Sequence, residues 1–187
     1  MRLKRFLLLA ALVAAFPQPC GAGVKENTAY NYYPVNAGQA SLNEVLIAAY
    51  PLQKPGERFH AYTDWHIDWN FKYAANGGFC SMTSVDTVLT ATMTLPKLES
   101  APSADVQSRF DDYFPKLKLH EDGHLRIAQN AAAAIDSTLV GMRNVSCSTI
   151  SSDANNLAYG ILDRAKAAEK EYDLQTEHGK TQGAWLQ

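Results

Sequence analysis

The stretch that decides the fold reads Trp65-His66-Ile67-Asp68-Trp69-Asn70-Phe71-Lys72-Tyr73. Apolar side chains occupy every odd position and polar ones every even position, which is the period of a strand with one buried face. The residues that follow, Asn76-Gly77-Gly78, tolerate positive φ and predict a turn. A second strand is expected from about Phe79 to Leu95, with apolar residues at Val85, Leu89, Ala91, Met93 and Leu95. We therefore predict a hairpin within an antiparallel sheet.

Helical patterns lie on both sides of this hairpin. Ser41-Leu42-Asn43-Glu44 is a capping box that opens a short helix to about Tyr50, preceded by an extended lead-in over 24–40. Ser103 is a candidate N-cap for a longer helical region, which Pro115 either kinks or divides.

One stripe of that helical region carries most of its apolar residues. Its members are Leu117, Glu121, His124, Ala128, Ala131, Ile135 and Leu139, and Gly141 is placed as a C-terminal stop. A last helix is predicted from about Asp153 to Tyr172. The fold class is therefore α+β, with the sheet packed on a long helix and a C-terminal helix.

Composition and charge limit the possible functions. The chain has 187 residues, of which 47% are hydrophobic and 19% charged, as in a single globular domain. Seventeen Lys and Arg against 19 Asp and Glu give a formal charge of −2. No basic field is available to hold a polyanion, which argues against nucleic acid as the partner.

The first 22 residues have the organisation of a secretory signal peptide. A basic start, Met1 to Arg5, precedes an apolar run from Phe6 to Phe16, and Cys20-Gly21-Ala22 offers small residues for cleavage. The run is too short to span a membrane, and an amphipathic anchor is the alternative. We predict that residues 23–187 form one domain exported to the periplasm or the extracellular space.

Two cysteines remain after such a cleavage, Cys80 and Cys147. Exported proteins meet an oxidising compartment, in which paired thiols are oxidised. We therefore predict a disulfide between them.

The chemistry is concentrated at His120-Glu121-Asp122-Gly123-His124, an H-E-x-x-H motif on a predicted helix. Histidines four residues apart project from one face and can bind a single Zn²⁺. Glu121 is offset along the turn, where it can act as general base toward a zinc-activated water. A third ligand is needed, and His60, His66 and His178 are the remaining histidines. Of these, His178 follows the last helix in a segment where Gly179 and Gly183 allow the chain to fold back.

Several features together resemble DUF922, a bacterial family of predicted secreted zinc-dependent proteases. They are the H-E-x-x-H motif, the Trp65–Phe71 strand, Cys80 and Cys147, and the Tyr172–Gly179 and Gln182–Ala184 segments. The resemblance implies a zincin-like fold and makes His178 the preferred third ligand, with Glu169, Glu171 and Asp173 as alternatives. Because the protease label rests largely on H-E-x-x-H, it is not independent support for the reaction.

These observations predict a secreted zinc metallopeptidase that acts on a peptide or protein substrate. Tyr172 or Tyr159 is a candidate hydrogen-bond donor to the oxyanion, against the alternative that each tyrosine only packs on its helix. An extended substrate could add to a sheet edge, with Asp86–Leu95 as one candidate strand. The competing functions are an exported, non-catalytic zinc-binding module and a hydrolase of cell-wall amides.

Overall fold

A long hairpin is the centre of the computed structural model, which describes residues 23–37, 41–51, 60–99 and 102–186. Its strands are β2 (Tyr62–Asn76) and β3 (Phe79–Glu99), paired antiparallel from Tyr62 opposite Thr94 to Asn76 opposite Phe79. Gly77 and Gly78 form the turn with φ of 59° and 89°, values that side chains disfavour. The predicted hairpin is confirmed, whereas the predicted signal peptide lies outside the described residues.

The sheet is mixed, and the prediction of an antiparallel sheet holds only for the pairing of β2 and β4 with β3. The segment expected to be an extended lead-in is a strand, β1 (Lys25–Asn36), which pairs parallel with β3. The spatial order is β1-β3-β2, and a short β4 (Val145–Ser146) pairs with the start of β3. Strand β2 runs antiparallel to β1, and the hairpin reverses the chain, so β3 runs in the same direction as β1.

Strand β3 continues past Pro96, the residue at which the sequence suggested an end. Antiparallel pairing with β2 stops at Thr94, while pairing with β1 extends to Glu99. A proline lacks a backbone N–H, and strands tolerate it where one side needs no donor. Pro96 lies just beyond the last residue that β2 covers.

Three α-helices complete the described structure: α1 (Leu42–Ala49), α2 (Ala104–Val140) and α3 (Ile150–Thr176). A 3₁₀ turn, η1 (Lys180–Gln182), follows α3. The Ser41 capping box is present, and Ser103 caps α2 by accepting a hydrogen bond from the Val106 amide. Pro115 lies within α2 without dividing it, and Gly141 is the C-cap.

The core lies between one face of the sheet and the two long helices. All five predicted apolar positions of β3 are buried, and α2 contributes Leu117, Ala128, Ala131, Ile135 and Leu139 from the predicted stripe. The architecture is α+β, as predicted. The disulfide between Cys80 and Cys147 is also confirmed and joins β3 to the segment before α3.

None of the helices in the described part of the chain combines the length and apolar character that a membrane crossing demands.

Candidate metal centre

His120 and His124 lie one turn apart on α2 and face α3. Their ring centroids are 5.0 Å apart, and the rings are nearly perpendicular. The Nε2 atoms of both rings approach the same oxygen, Oδ1 of Asp173, at 3.3 Å for His120 and 3.1 Å for His124. Two residues of the motif and one residue of α3 thus converge on one point.

The distances within this cluster fit a tetrahedral ion. One nitrogen or oxygen from each of His120, His124 and Asp173 lies within 4.8 Å of the other two. Donors held about 2.0–2.1 Å from a tetrahedral zinc lie about 3.3 Å from each other, close to the two separations above. Two imidazoles and a carboxylate are also a donor set of catalytic zinc sites. The residues therefore fit the metal that the motif predicts.

His178, the preferred third ligand from sequence, lies beside this cluster and not within it. Its side chain is 67% exposed, and its Nδ1 is 3.6 Å from Asp173 Oδ1. Of the alternatives, Asp173 is the carboxylate that joins the two histidines. Glu169 contacts the other ring nitrogen of His124, Nδ1, and so does not join the three converging atoms. Glu171 is exposed and accepts a hydrogen bond from Gln175.

Glu121 is buried against strand β2. Its side chain is only 4% exposed, and Thr63 Oγ1 donates a hydrogen bond of 2.7 Å to Glu121 Oε2. Burial raises the pKa of the Glu121 carboxyl above its usual range, against the lowering effects of the Thr63 hydrogen bond and of the two motif histidines. A carboxylate with a raised pKa is a stronger base than one in water.

A second set of side chains holds the far nitrogen of each imidazole. His120 Nδ1 lies 3.0 Å from Gln182 Oε1, and His124 Nδ1 lies 3.4 Å from Glu169 Oε1. Glu169 is itself held by the indole N–H of Trp65, which donates at 2.6 Å. Partners of this kind orient metal-binding histidines and fix which nitrogen carries the proton.

Tyr172 covers the histidines from α3. Its ring stacks on His120 at a centroid distance of 5.1 Å, and its hydroxyl donates to the His120 carbonyl oxygen at 3.1 Å. A role as oxyanion donor would require that bond to open. Tyr159, the other candidate, packs edge-on against Trp69 on β2, away from the cluster.

Gly123 makes the approach of Tyr172 possible. A Cβ atom at this position would lie 2.7 Å from Tyr172 Cε1 and still closer to the hydroxyl. A helical glycine costs about 1 kcal/mol relative to alanine, and here the space that it leaves is filled by Tyr172.

The charges of the cluster stabilise one another. Burial alone lowers the pKa of His124, but hydrogen bonds to Asp173 and Glu169 outweigh it and raise the pKa to about 9. The pKa of Asp173 is held well below its usual range despite burial, because both motif histidines bond to it. The carboxylate is therefore ionised and available as a donor.

The remaining predicted features lie elsewhere. His60 Nδ1 is 2.6 Å from the Tyr113 hydroxyl, and exposed His66 pairs with Asp68 on the polar face of the sheet. The candidate docking strand, Asp86–Leu95, belongs to β3, which is paired with β1 and β2 on its two sides. That suggestion was wrong, because both edges of β3 are already paired from Val88 to Thr94.

Sequence reasoning missed the roles of Thr63 and Gln182. Thr63 lies in β2, two residues before Trp65, and nothing local marks it as the partner of a glutamate 58 residues later. Gln182 stands in one of the segments that carry the family resemblance, which was its only signal.

The description "Bacterial protein of unknown function (DUF922)" belongs to the family that matches residues 30–179 of this chain. The chain belongs to DUF922. The matched region of this DUF922 protein includes all three converging donors and Glu121. No curated protein and no solved structure matches the chain.

Proposed function

We propose that this DUF922 protein is an exported zinc-dependent peptidase, in which His120, His124 and Asp173 hold the ion and Glu121 is the general base. The observation that carries the proposal is the convergence of both His Nε2 atoms on Asp173 Oδ1, at 3.3 and 3.1 Å. Glu121 lies between the two histidines in sequence and is buried beside them.

Each residue then has a defined task. A bound zinc ion would polarise a peptide carbonyl and lower the pKa of a coordinated water to about 7. Glu121 accepts the proton of the attacking water and returns it to the amine nitrogen as the C–N bond breaks. The Thr63 hydroxyl holds one oxygen of Glu121, which fixes the direction of the other.

We also propose a zincin-like arrangement, with an extended substrate lying along β2. Strand β2 lies at one edge of the sheet, and β3 is its one partner among the described strands. Two of its residues reach the candidate centre, since Thr63 bonds Glu121 and Trp65 bonds Glu169. A peptide that added to this edge by main-chain hydrogen bonds would pass the cluster.

The proposed location outside the cytoplasm rests on the disulfide. Cys80 and Cys147 are 67 residues apart in sequence and joined in the structure. Stable disulfides are rare in reducing compartments and common in exported domains.

The test is the Glu121→Gln variant, which keeps the shape of the side chain and removes its basicity. We expect zinc to stay bound while cleavage of a peptide library falls by about 10²–10⁴-fold, the usual contribution of a general base. Glu171→Gln is the matched control, because Glu171 is an exposed carboxylate on α3. Equal cleavage by the Glu121→Gln variant and the parent chain would refute the assignment.

A non-catalytic zinc-binding module is the second candidate, and one observation favours it. His178 Nδ1 lies 3.6 Å from Asp173 Oδ1, near enough to act as a fourth donor and close the site to solvent. Zinc binding with no cleavage by the parent chain or by the His178→Ala variant would favour the module. Activity on cell-wall sacculi without activity on casein would instead indicate the amide hydrolase.

A further inference from the structure

Residues 177–186, named here the hook, turn back from the end of α3 onto the metal-bearing helix. Glu177, His178 and Gly179 have successive φ values of 49°, 52° and 87°, and Gly183 has a φ of 85°. Non-glycine residues seldom adopt such values, and they persist where surrounding contacts hold them. A hydrogen bond of 3.0 Å from the Ala184 amide to the Gly179 carbonyl closes the hook.

The hook packs directly on the ring of His120. A Cβ atom at Gly179 would lie 3.1 Å from His120 Cγ and 3.0 Å from the Ala184 side chain. Ala184 is 7% exposed and joins the core cluster that contains Leu117. A glycine is needed at 179 both for its φ and for the space beside the imidazole.

Three hydrogen bonds link the hook to His120 in a closed ring. His120 Nδ1 donates to Gln182 Oε1 at 3.0 Å, and Gln182 Nε2 donates to the Tyr172 hydroxyl at 3.0 Å. The Tyr172 hydroxyl donates to the His120 carbonyl at 3.1 Å. Each donor in the ring meets an acceptor, and together they hold the imidazole of His120 with Nδ1 toward the hook and Nε2 toward Asp173.

We propose that Gln182 is a positioning residue for His120 and that the hook is a clasp whose closure is coupled to metal binding. The coupling to zinc rests on the proposed function, whereas the orientation of His120 does not. The closed hook holds His120 with Nε2 toward Asp173, which is the orientation that binds the ion. A contact that stabilises the closed hook therefore also favours ion binding. By reciprocity, an ion on His120 must stabilise the closed hook to the same extent.

Zinc titration of the full chain tests the coupling. Replacing Gln182 with Met keeps the length of the side chain and removes its acceptor, so we expect the zinc Kd to rise about 10–100-fold, as for other partners of metal-bound histidines. Replacing it with Glu restores an acceptor and should return the Kd to within a few-fold of the parent. Gln175→Met is the control, since Gln175 is exposed on α3, where its amide donates a hydrogen bond to Glu171.

Hydrogen exchange of the hook amides gives a second readout. We expect zinc to slow the exchange of residues 180–184 in the parent chain and in the Gln175→Met variant, and to slow it much less in the Gln182→Met variant. The imidazole ¹H–¹⁵N signal of His120 Nδ1 should be protected from exchange with water in the parent chain and should exchange faster in the Gln182→Met variant, which lacks the acceptor at Gln182 Oε1. A Gln182 side chain that only filled space would leave the exchange of that proton unchanged when Met replaced it.

The outcomes separate the two proposals. If the parent chain binds no zinc, the peptidase and the coupling to zinc are refuted. The positioning of His120 by Gln182 then stands only if Gln182→Met, and not Gln175→Met, speeds exchange of the His120 Nδ1 proton and of the hook amides. If the Gln182→Met variant matches the parent in zinc Kd, in exchange of the hook amides and in exchange of the His120 Nδ1 proton, the clasp is refuted. Should the Gln182→Met variant fail to fold, Gln182→Asn, which is one methylene too short for the ring, takes its place under the same criteria.

Discussion

Both motif histidines approach the same oxygen, Oδ1 of Asp173, and this contact identifies the third donor. Asp173 lies within α3, where its backbone is fixed, so its carboxylate faces α2. His178 lies beyond the helix in a left-handed conformation, which leaves its side chain 67% exposed. The geometry favours Asp173 over the histidine that family resemblance preferred.

Two variants distinguish these donors. Asp173→Asn should raise the zinc Kd by more than about 100-fold, beyond the usual loss for a supporting partner, because an ionised donor is removed. His178→Ala should change the Kd by less than about 10-fold. Competition with a chelator measures both constants, and circular dichroism checks that each variant is folded. The opposite order of effects would return the third position to His178.

Gly123 packs against the ring of Tyr172, which leaves no room for a larger side chain at position 123. We expect Gly123→Ala to destabilise the fold by about 1–3 kcal/mol, since overpacking against Tyr172 outweighs the gain in helix propensity. Gly160→Ala is the matched control on α3, where the new methyl would meet only Arg164 at 3.7 Å, and it should stabilise by up to about 1 kcal/mol. Urea unfolding measures both.

A double variant tests the cause of that loss. In a Tyr172→Ala background the Gly123→Ala change should no longer destabilise, because the ring that it meets is gone. If Gly123→Ala still destabilises there, the cause is not contact with Tyr172.

At the scale of elements, α2 continues through a proline. Pro115 has no N–H to bond the carbonyl of Asp111 one turn earlier, and its ring crowds that carbonyl. The helix persists because tertiary contacts hold both halves, with Tyr113 and Leu117 buried on either side of the proline. From sequence alone the choice between a kinked and a divided helix stayed open, because that packing is not local.

Pro115 is exposed, so its replacement should lose little packing. We expect Pro115→Ala to stabilise the fold by up to about 3 kcal/mol, seen as a rise in Tm. Ser108→Ala, at another exposed position of α2, should gain no more than about 0.5 kcal/mol from helix propensity. A fall in Tm for Pro115→Ala would mean that the proline has a structural role in α2.

The elements that sequence predicted well are those whose signal is local. The alternation over Trp65–Tyr73, the glycine turn and the Ser41 capping box each involve neighbours in sequence. The pairing of β1 with β3 joins Lys25 to Val88, and no short-range pattern reports it. Likewise the motif placed His120 and His124 together, while Asp173 reached them only through the crossing of two helices.

For the molecule as a whole, His60 is a point where three parts of the fold meet. Tyr33 of β1 donates to the His60 carbonyl at 2.7 Å, and Tyr113 of α2 bonds its ring. Burial lowers the pKa of His60 to about 4 from the value of 6.5 expected for an unfolded chain. The folded state therefore holds this imidazole neutral over a range in which the unfolded state protonates it.

This difference predicts a pH dependence of global stability. The contribution of His60 is fully present above pH 6.5 and is lost as the pH falls toward 4, because the unfolded state binds the extra proton. Its size is about 3 kcal/mol at most. His60→Asn, whose amide can replace Nδ1, should flatten the profile of unfolding free energy in this window. If the profiles of the parent and the variant differ by a constant only, the assignment to His60 fails.

Asp173 follows His124 by 49 positions, with the whole of the α2–α3 connection between them. During synthesis His120 and His124 are therefore added to the chain well before Asp173. Any copy truncated between these positions keeps the recognisable H-E-x-x-H signature yet has only two of the three converging groups. Unfinished polypeptides thus carry the motif without the assembled cluster.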